Sequence, residues 1–282
     1  MEVDKINLYD IALEHMYNDE GDFSATCGQT PSHFRYTIQQ PDWDGITIVT
    51  DRMLTDPKAL KAKSKYKIGW LYETREVNER WYLQFPLYKD HYDFILTHDV
   101  PLLTAFPNKT RKVLFGGTWI QKENIKIYEK SKRLSMIYSD KTFMAGHTIR
   151  HNVADMYGTH MDLFGTGCDN PIDKKEEGLK DYMYSVVVEN SHTANYFTEK
   201  LIDCFATGTI PIYYGCPNLP EFFDMNGIIT FNSFNELGGI LPTLTPNLYE
   251  SKMESVRNNL EKCKEYICSE DWLYRNVFKE LL

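Results

Sequence analysis

No C-x-x-C pair occurs among the six cysteines of this 282-residue sequence, Cys27, Cys168, Cys204, Cys216, Cys263 and Cys268. His91, His98, His147, His151, His160 and His192 show no zinc-ligand spacing either. A structural zinc site and a disulfide framework are thereby set aside, and buried free thiols are expected, since several of the cysteines fall inside apolar periodic segments. No uncharged apolar run approaches the roughly 18 residues of a membrane span, and the start, "MEVDKINLYD", lacks the basic-then-apolar pattern of a signal peptide. The expectation is a cytoplasmic protein with no integral membrane segment. Basic residues are outnumbered, 31 Lys and Arg against 40 Asp and Glu, for a formal net charge of −9. A long-range field that would attract nucleic acid or an anionic membrane is excluded, so any anion must be bound locally.

What is present is the composition of an ordered globular protein, 42% hydrophobic and 14% aromatic, long enough for one large or two medium domains. Short apolar runs alternate with helical patterns from about residue 46 to 231, the sign of parallel βαβ layering. Strands are expected at 46–50, 67–72, 93–97 and 112–115 in a first half, then at 135–139, 161–164, 185–189, 210–214 and 227–231 in a second. "GHTIRHNVADMYG" reads as a helix with Ile149, Val153 and Met156 on one face and Gly158 as its C′ residue. The predicted fold class is α/β, two Rossmann-like domains over residues 1–130 and 131–282, with final helices able to pack back on the first domain. Opposed open sheets of this kind leave a cleft at their carboxyl ends. Residues 18–34 are polar and rich in turn formers, which predicts a loop.

In "ENSHTANYFTEKL" (189–201) a strand, a polar loop and a helix start follow one another, the arrangement that aims a helix N-terminus at an anion above the sheet. Lys200 adds a full charge to that dipole, Glu199 suits the two hydroxyls of a ribose, and Tyr196 can stack on a ligand or cap it. A solvated Glu-Lys pair opening an ordinary helix is the alternative. Arg150, early in the helix after the strand at 135–139, emerges on the same sheet edge in a doubly wound fold, and a guanidinium binds phosphate oxygens bidentately. "DWD" (Asp42 to Asp44) matches a D-x-D metal motif but reads as a turn before a strand. "FGTGCDN" has only two of the glycines of a dinucleotide fingerprint.

The segment "VVVENSHTANYFTEKLIDCFATGTIPIYYGCPNLPEFF" resembles the donor-binding segment of the α1,3-fucosyltransferase family, glycosyltransferase family 10, whose pattern runs ENS, then Y-x-TEK, then G-x-x-P-x-x-x-G. The matches are Glu189, Asn190, Ser191, Tyr196, Thr198, Glu199, Lys200, Leu201, Gly208, Pro211 and Gly215. The likeness weakens upstream but is traceable through "GHTIR" and "DLFGTG", over about residues 134 to 232. It implies a GT-B fold and inverting transfer from a GDP-sugar, GDP-fucose first among them, to a hydroxyl of a glycan acceptor. No metal or other cofactor is implied. Carried over residue by residue, Tyr196 and Glu199 hold the guanosine part, Lys200 and Arg150 the pyrophosphate, and Asn190 the sugar or phosphate side, with Thr198 a further donor-binding residue. Glu73, just past a strand end in "KIGWLYETREV", takes the place of the catalytic base, with Glu76 a competitor. His98 and Asp99 in "THD", and Gly117 and Trp119 in "FGGTW", are candidates for the acceptor side. The lack of a membrane anchor sets the sequence apart from the family's Golgi-resident members and points to a bacterial or viral type. Another GDP-deoxysugar donor, or a glycan- or nucleotide-binding module without catalysis, are the alternative readings; no oligomeric state follows from the sequence.

Overall fold

The computed structural model describes residues 4–24 and 28–282, which leaves Cys27 outside the described residues. The chain divides into two compact units, residues 1–115 with 268–282, and residues 116–267. Each is a parallel sheet wrapped by helices.

The first unit carries six parallel strands: β1 (Asp4–Tyr9), β2 (Phe34–Ile38), β3 (Asp42–Thr50), β4 (Lys63–Leu71), β5 (Phe94–Thr97) and β6 (Thr110–Lys112). Their order is β2-β1-β3-β4-β5-β6, so the chain reverses direction across the sheet between β1 and β3. Helices α1 (Pro57–Lys61), α2 (Glu79–Leu83), α3 (Phe85–Tyr88) and α4 (Val100–Ala105) lie between the later strands. Both faces are buried because alternate side chains serve different cores: Ile46 and Ile48 point to one, Val49 to the other. The chain terminus completes the first of these, Leu273, Val277 and Phe278 packing with Ile6, Phe34 and Trp70.

The second unit has β7 (Lys132–Ile137), β8 (Asp162–Phe164), β9 (Tyr182–Val188), β10 (Ile210–Tyr214) and β11 (Ile229–Thr230) in the order β11-β10-β9-β7-β8. Here the reversal falls between β7 and β9. Each of those strands runs into a longer helix, α5 (Ala145–Tyr157) and α6 (Glu199–Thr207) respectively. Then come α7 (Phe234–Ile240), α8 (Pro246–Ser251) and α9 (Met253–Cys263), before α10 (Ser269–Leu273) opens the segment belonging to the first unit. Residues 116–130, left with the first half by the sequence pattern, pack on the second unit: Lys126 N donates to Ala206 O at 3.0 Å and Lys130 Nζ to Thr207 O at 2.8 Å.

Several local expectations change. β1 and β2 were hidden by their polar content. Asn7 in the middle of β1 is fully buried, its amide bonded to Thr47 Oγ1 at 3.1 Å and to Gln40 O at 2.9 Å. Asp42–Asp44 is not a turn but the first stretch of β3, where Asp42 and Trp43 pair with Lys63 and Ser64 before a register shift. That places the D-x-D at the amino end of the strand, the sheet edge opposite the one where β4 delivers Glu73. The strand expected at 112–115 ends at Lys112, because its partner β5 ends at Thr97. Gly158 is no left-handed C′ residue: its φ is −58° and the chain runs on into a 3-10 turn. Met156 is 52% exposed, and α5 buries Gly146, His147, Arg150 and Val153 instead.

Candidate functional site

Where strand order reverses in an open parallel sheet, the loops after the two flanking strands part and leave a crevice at their carboxyl ends. In the second unit that point is between β7 and β9, and a cavity of about 340 Å³ opens there. Its wall includes Lys141, His147, Arg150, Lys175, Asn190, Glu199, Lys200 and Asp203. Every one of these stands on, or next to, a segment leaving β7 or β9 or on the loop after β8.

The start of α6 is fixed from beneath. Glu189, the last residue before the polar loop, is fully buried and accepts twice from Thr198, from its N–H at 2.9 Å and its hydroxyl at 2.7 Å. Thr198 is in turn the N-cap residue, its Oγ1 accepting from Lys200 N at 3.3 Å. Burial raises the Glu189 carboxyl above its usual range, with the Lys200 charge opposing. The helix ends in the left-handed Gly208, φ 70°, which donates to Phe205 O.

Glu199 and Lys200 are bonded to each other at 2.7 Å. Burial works against both charges, yet the pairing wins: the Glu199 carboxyl is lowered and the Lys200 ammonium raised. Both therefore stand charged at the cavity wall, the state needed to accept from ribose hydroxyls and to attract phosphate.

Arg150 is 5% exposed and is positioned by the β9 exit: Nε donates to Val188 O at 2.9 Å and Nη2 to Asn190 Oδ1. Nη1 has no partner among the described residues. Because Asn190 Oδ1 accepts from arginine, its Nδ2 is the amide group left to donate. The loop and α5 approach so closely that a Cβ on Gly146 would lie 2.0 Å from Glu189 O, which explains glycine there. His147 was not singled out by sequence. Its Nδ1 accepts from Met144 N at 3.1 Å, so the proton of the neutral ring sits on Nε2. Burial, then the charges of Arg150, Lys141 and Lys200, hold this imidazole down at about 4, which keeps it neutral at ordinary pH.

Tyr196 is 2% exposed and is not among the residues that line the cavity. Gly117 and Trp119 belong to the second unit and run along α6. Gly117 N donates to Tyr266 O at 2.7 Å, while Thr118 Oγ1 and Trp119 N converge on Asp203 Oδ1 at 2.6 and 2.9 Å.

In the first unit, Glu73 follows β4 and is half-buried, whereas Glu76 is exposed. Glu73 N donates to Asp51 Oδ2 at 3.3 Å and its carbonyl accepts from Tyr82 Oη. Asp99 caps α4 by accepting from Leu102 N at 2.8 Å and pairs with Arg75, Nη2 to Oδ1 at 3.0 Å. His98 is buried, and burial lowers its imidazole to about 4. Next to the Glu73 loop a groove of about 570 Å³ is walled by Arg52, Lys58, Arg80, Trp81, Asn78 and Gln39 among others, cations and amides around an aromatic face. Among the described residues no group of His, Cys, Asp or Glu is arranged to hold a metal ion. No helix among them is long and apolar enough to cross a membrane.

Comparison with known proteins gives the site a context. Residues 128–269 match the sequence pattern of the glycosyltransferase family 10 (fucosyltransferase) C-terminal region. An α-(1,3)-fucosyltransferase from Helicobacter pylori is 26% identical over 188 residues, 60% of this chain and 37% of that enzyme, so the chain spans little more than a third of its length. A putative fucosyltransferase-like protein of Arabidopsis thaliana is 38% identical over 66 residues, 22% of this chain and 12% of that protein. Among solved structures, an α1,3-fucosyltransferase with GDP superposes with a TM-score of 0.56 at 14% identity, covering 93% of this chain and 89% of the other. An α-glucosyltransferase with UDP-glucose and DNA reaches the same TM-score, 0.56, at 10% identity over 83% and 79%. These neighbours place the fold in the GT-B class of glycosyltransferases. With half of its length matched by the family pattern, and with that match enclosing the whole cation-lined cavity, the chain belongs to glycosyltransferase family 10, the fucosyltransferases.

Proposed function

We propose that this chain is an inverting glycosyltransferase that transfers a sugar, L-fucose first among candidates, from a GDP-sugar to a hydroxyl of a glycan acceptor. The observation that carries the reading is the cavity between β7 and β9, where Arg150, Lys200, neutral His147 and the start of α6 converge on one space. Such a set suits a diphosphate: a guanidinium and an ammonium for the oxygens, a helix N-terminus for the residual charge, and the Glu199 carboxylate for the ribose diol.

GDP departs readily once its new charge is stabilised. Arg150, Lys200 and the helix N-terminus supply that stabilisation, the task a divalent ion performs in metal-dependent transferases. The acceptor hydroxyl must lose a proton as it attacks the anomeric carbon from the face opposite the phosphate. Glu73 is assigned as the base, a role worth about 10²- to 10⁴-fold in rate, or roughly 3 to 5 kcal/mol. One displacement inverts the anomeric centre. The groove beside the Glu73 loop, with Trp81 for stacking and Asn78 and Gln39 for hydroxyls, is the surface assigned to the glycan.

A screen of GDP-fucose, GDP-mannose and UDP-glucose against a set of oligosaccharides, with product linkage and anomeric configuration read by NMR, tests the reading. Turnover of a GDP-sugar to the inverted anomer is expected. Retention of configuration would overturn the single displacement, and GDP binding without turnover on any acceptor would leave a binding module.

A further inference from the structure

At the third position of a helix a side chain can reach back to the amide of the capping residue, and Glu or Gln is the usual occupant. In α5 that position is held by His147, three residues after the capping Met144. Its Nδ1 accepts from Met144 N at 3.1 Å, and the Phe143 ring stands edge-on to the imidazole with centroids 4.6 Å apart. An N–H directed at Nδ1 requires that nitrogen to be bare, so the one proton of the ring is on Nε2. An imidazolium, with a proton on both nitrogens, would lose the Met144 bond. Burial favours the same neutral form, and so do the charged groups that face the ring: Arg150 on its own helix, Lys141 on the loop before it, Lys200 at the start of α6, and His151.

The ring is 3% exposed and lines the cavity, yet Nε2 has no partner among the described residues. The turn that carries it is fixed against the exit of β9: Gly146 N donates to Asn190 O at 3.1 Å, and Arg150 Nε to Val188 O at 2.9 Å. A buried N–H with nothing to accept from it costs stability, and the cavity is where an acceptor can arrive.

We propose that His147 Nε2–H is an uncharged hydrogen-bond donor to the diphosphate, and that it serves the departing GDP more than the bound GDP-sugar. The inference rests on the diphosphate occupying this cavity. As the acceptor oxygen bonds to the anomeric carbon, the bond from that carbon to the β-phosphate oxygen breaks. Its electron pair stays on that oxygen, and the acceptor's proton goes to the base. GDP therefore leaves with one more negative charge than it had in the GDP-sugar. A donor already held in place meets that charge without reorganising, which lowers the barrier more than it strengthens ground-state binding. Arg150 and Lys200 supply charge; His147 adds a third donor without a third cation in a crowded positive site.

The test joins imidazole ¹H–¹⁵N NMR of the wild-type protein, alone, with guanosine and with GDP, to GDP titrations, thermal melts and donor kinetics of His147→Ala, His147→Gln and His147→Glu. The free protein is expected to show the Nε2–H tautomer, and GDP but not guanosine should shift Nε2. His147→Ala should weaken GDP by tenfold or more and guanosine by less than threefold, and should lower kcat more than it raises the KM for the GDP-sugar. Gln can accept from Met144 N and also donate, so His147→Gln should bind GDP at least threefold better than His147→Ala. Glu accepts but cannot donate: His147→Glu should melt like wild type and bind GDP no better than His147→Ala. Should His147→Ala not fold, the wild-type NMR and the Gln and Glu pair decide. Equal losses for GDP and guanosine, a recovery by Glu equal to that by Gln, an Nδ1–H tautomer, or an Nε2 signal that GDP leaves unmoved would make His147 a capping residue only and overturn the inference. A wild-type protein that does not bind GDP would overturn the placement of the diphosphate, and this inference with it.

Discussion

Thr198 binds Glu189 twice, through its backbone N–H and through its hydroxyl, and by doing so fixes the first turn of α6. The strand-end glutamate is thus the footing of the helix N-terminus. Glu189→Ala takes the carboxylate from three buried donors, the Thr198 N–H and hydroxyl and the Tyr213 hydroxyl, a loss expected to cost about 1–3 kcal/mol or more in stability. GDP affinity should fall with it, because the same turn carries Glu199 and Lys200. Thermal melts and calorimetry check both; a variant as stable as wild type with unchanged affinity would contradict the role.

Arg150 and Lys200 are assigned to phosphate, so Arg150→Ala and Lys200→Ala should each weaken GDP by tenfold or more while changing guanosine much less. Calorimetry on the two ligands separates the effects. Equal losses would remove the phosphate role. For Arg150 part of any loss reflects its bond to Asn190, which Asn190→Ala measures separately.

How far the sequence alone leads is visible in these residues. Glu199 and Lys200 were grouped by a strand-loop-helix pattern, Arg150 by doubly wound topology and Asn190 by the family resemblance alone, and all four line the cavity. Tyr196 carried the same local signal and is buried, and composition does not tell which residues of a polar loop are covered. His147 lacked any ligand spacing, and only the bond from Met144 N shows its tautomer. Asp51 and Glu73 stand too far apart in sequence to be grouped: sheet order brings them to one edge. The register of β3 with β4 likewise decides the fate of Asp42–Asp44, which periodicity alone assigned to a turn.

Asp203 offers a test by pH. Burial pushes its carboxyl up to about 7, with the Thr118 hydroxyl opposing and the Glu199 charge adding to the rise. A carboxyl raised in the fold contributes stability that is full below its unfolded value, about 3.9, and is lost as pH climbs through the folded one. Asp203→Asn keeps an acceptor for Thr118 and Trp119 and has no charge to bury. It should gain on wild type in melting temperature as pH goes from 5 to 8. A constant difference across that range would contradict the assignment.

Phe278 ties the last residues to the first unit, fully buried against Phe34 with ring centroids 6.0 Å apart. Phe278→Ala is expected to destabilise by about 3–5 kcal/mol. If GDP is held by the second unit, a GDP-dependent rise in melting temperature should survive at temperatures where the variant stays folded. Loss of GDP binding by the folded variant would contradict the assignment of the nucleotide to the second unit alone.

We propose that the chain's own residues at the β7–β9 crevice hold the diphosphate of a GDP-sugar. Calorimetric titration of the wild-type protein with GDP, once with magnesium and once with EDTA, addresses it directly. Binding in both, with affinities within tenfold of each other, a difference below about 1.4 kcal/mol, is the predicted result. No binding of GDP, or a loss of more than tenfold when the metal is removed, would contradict it.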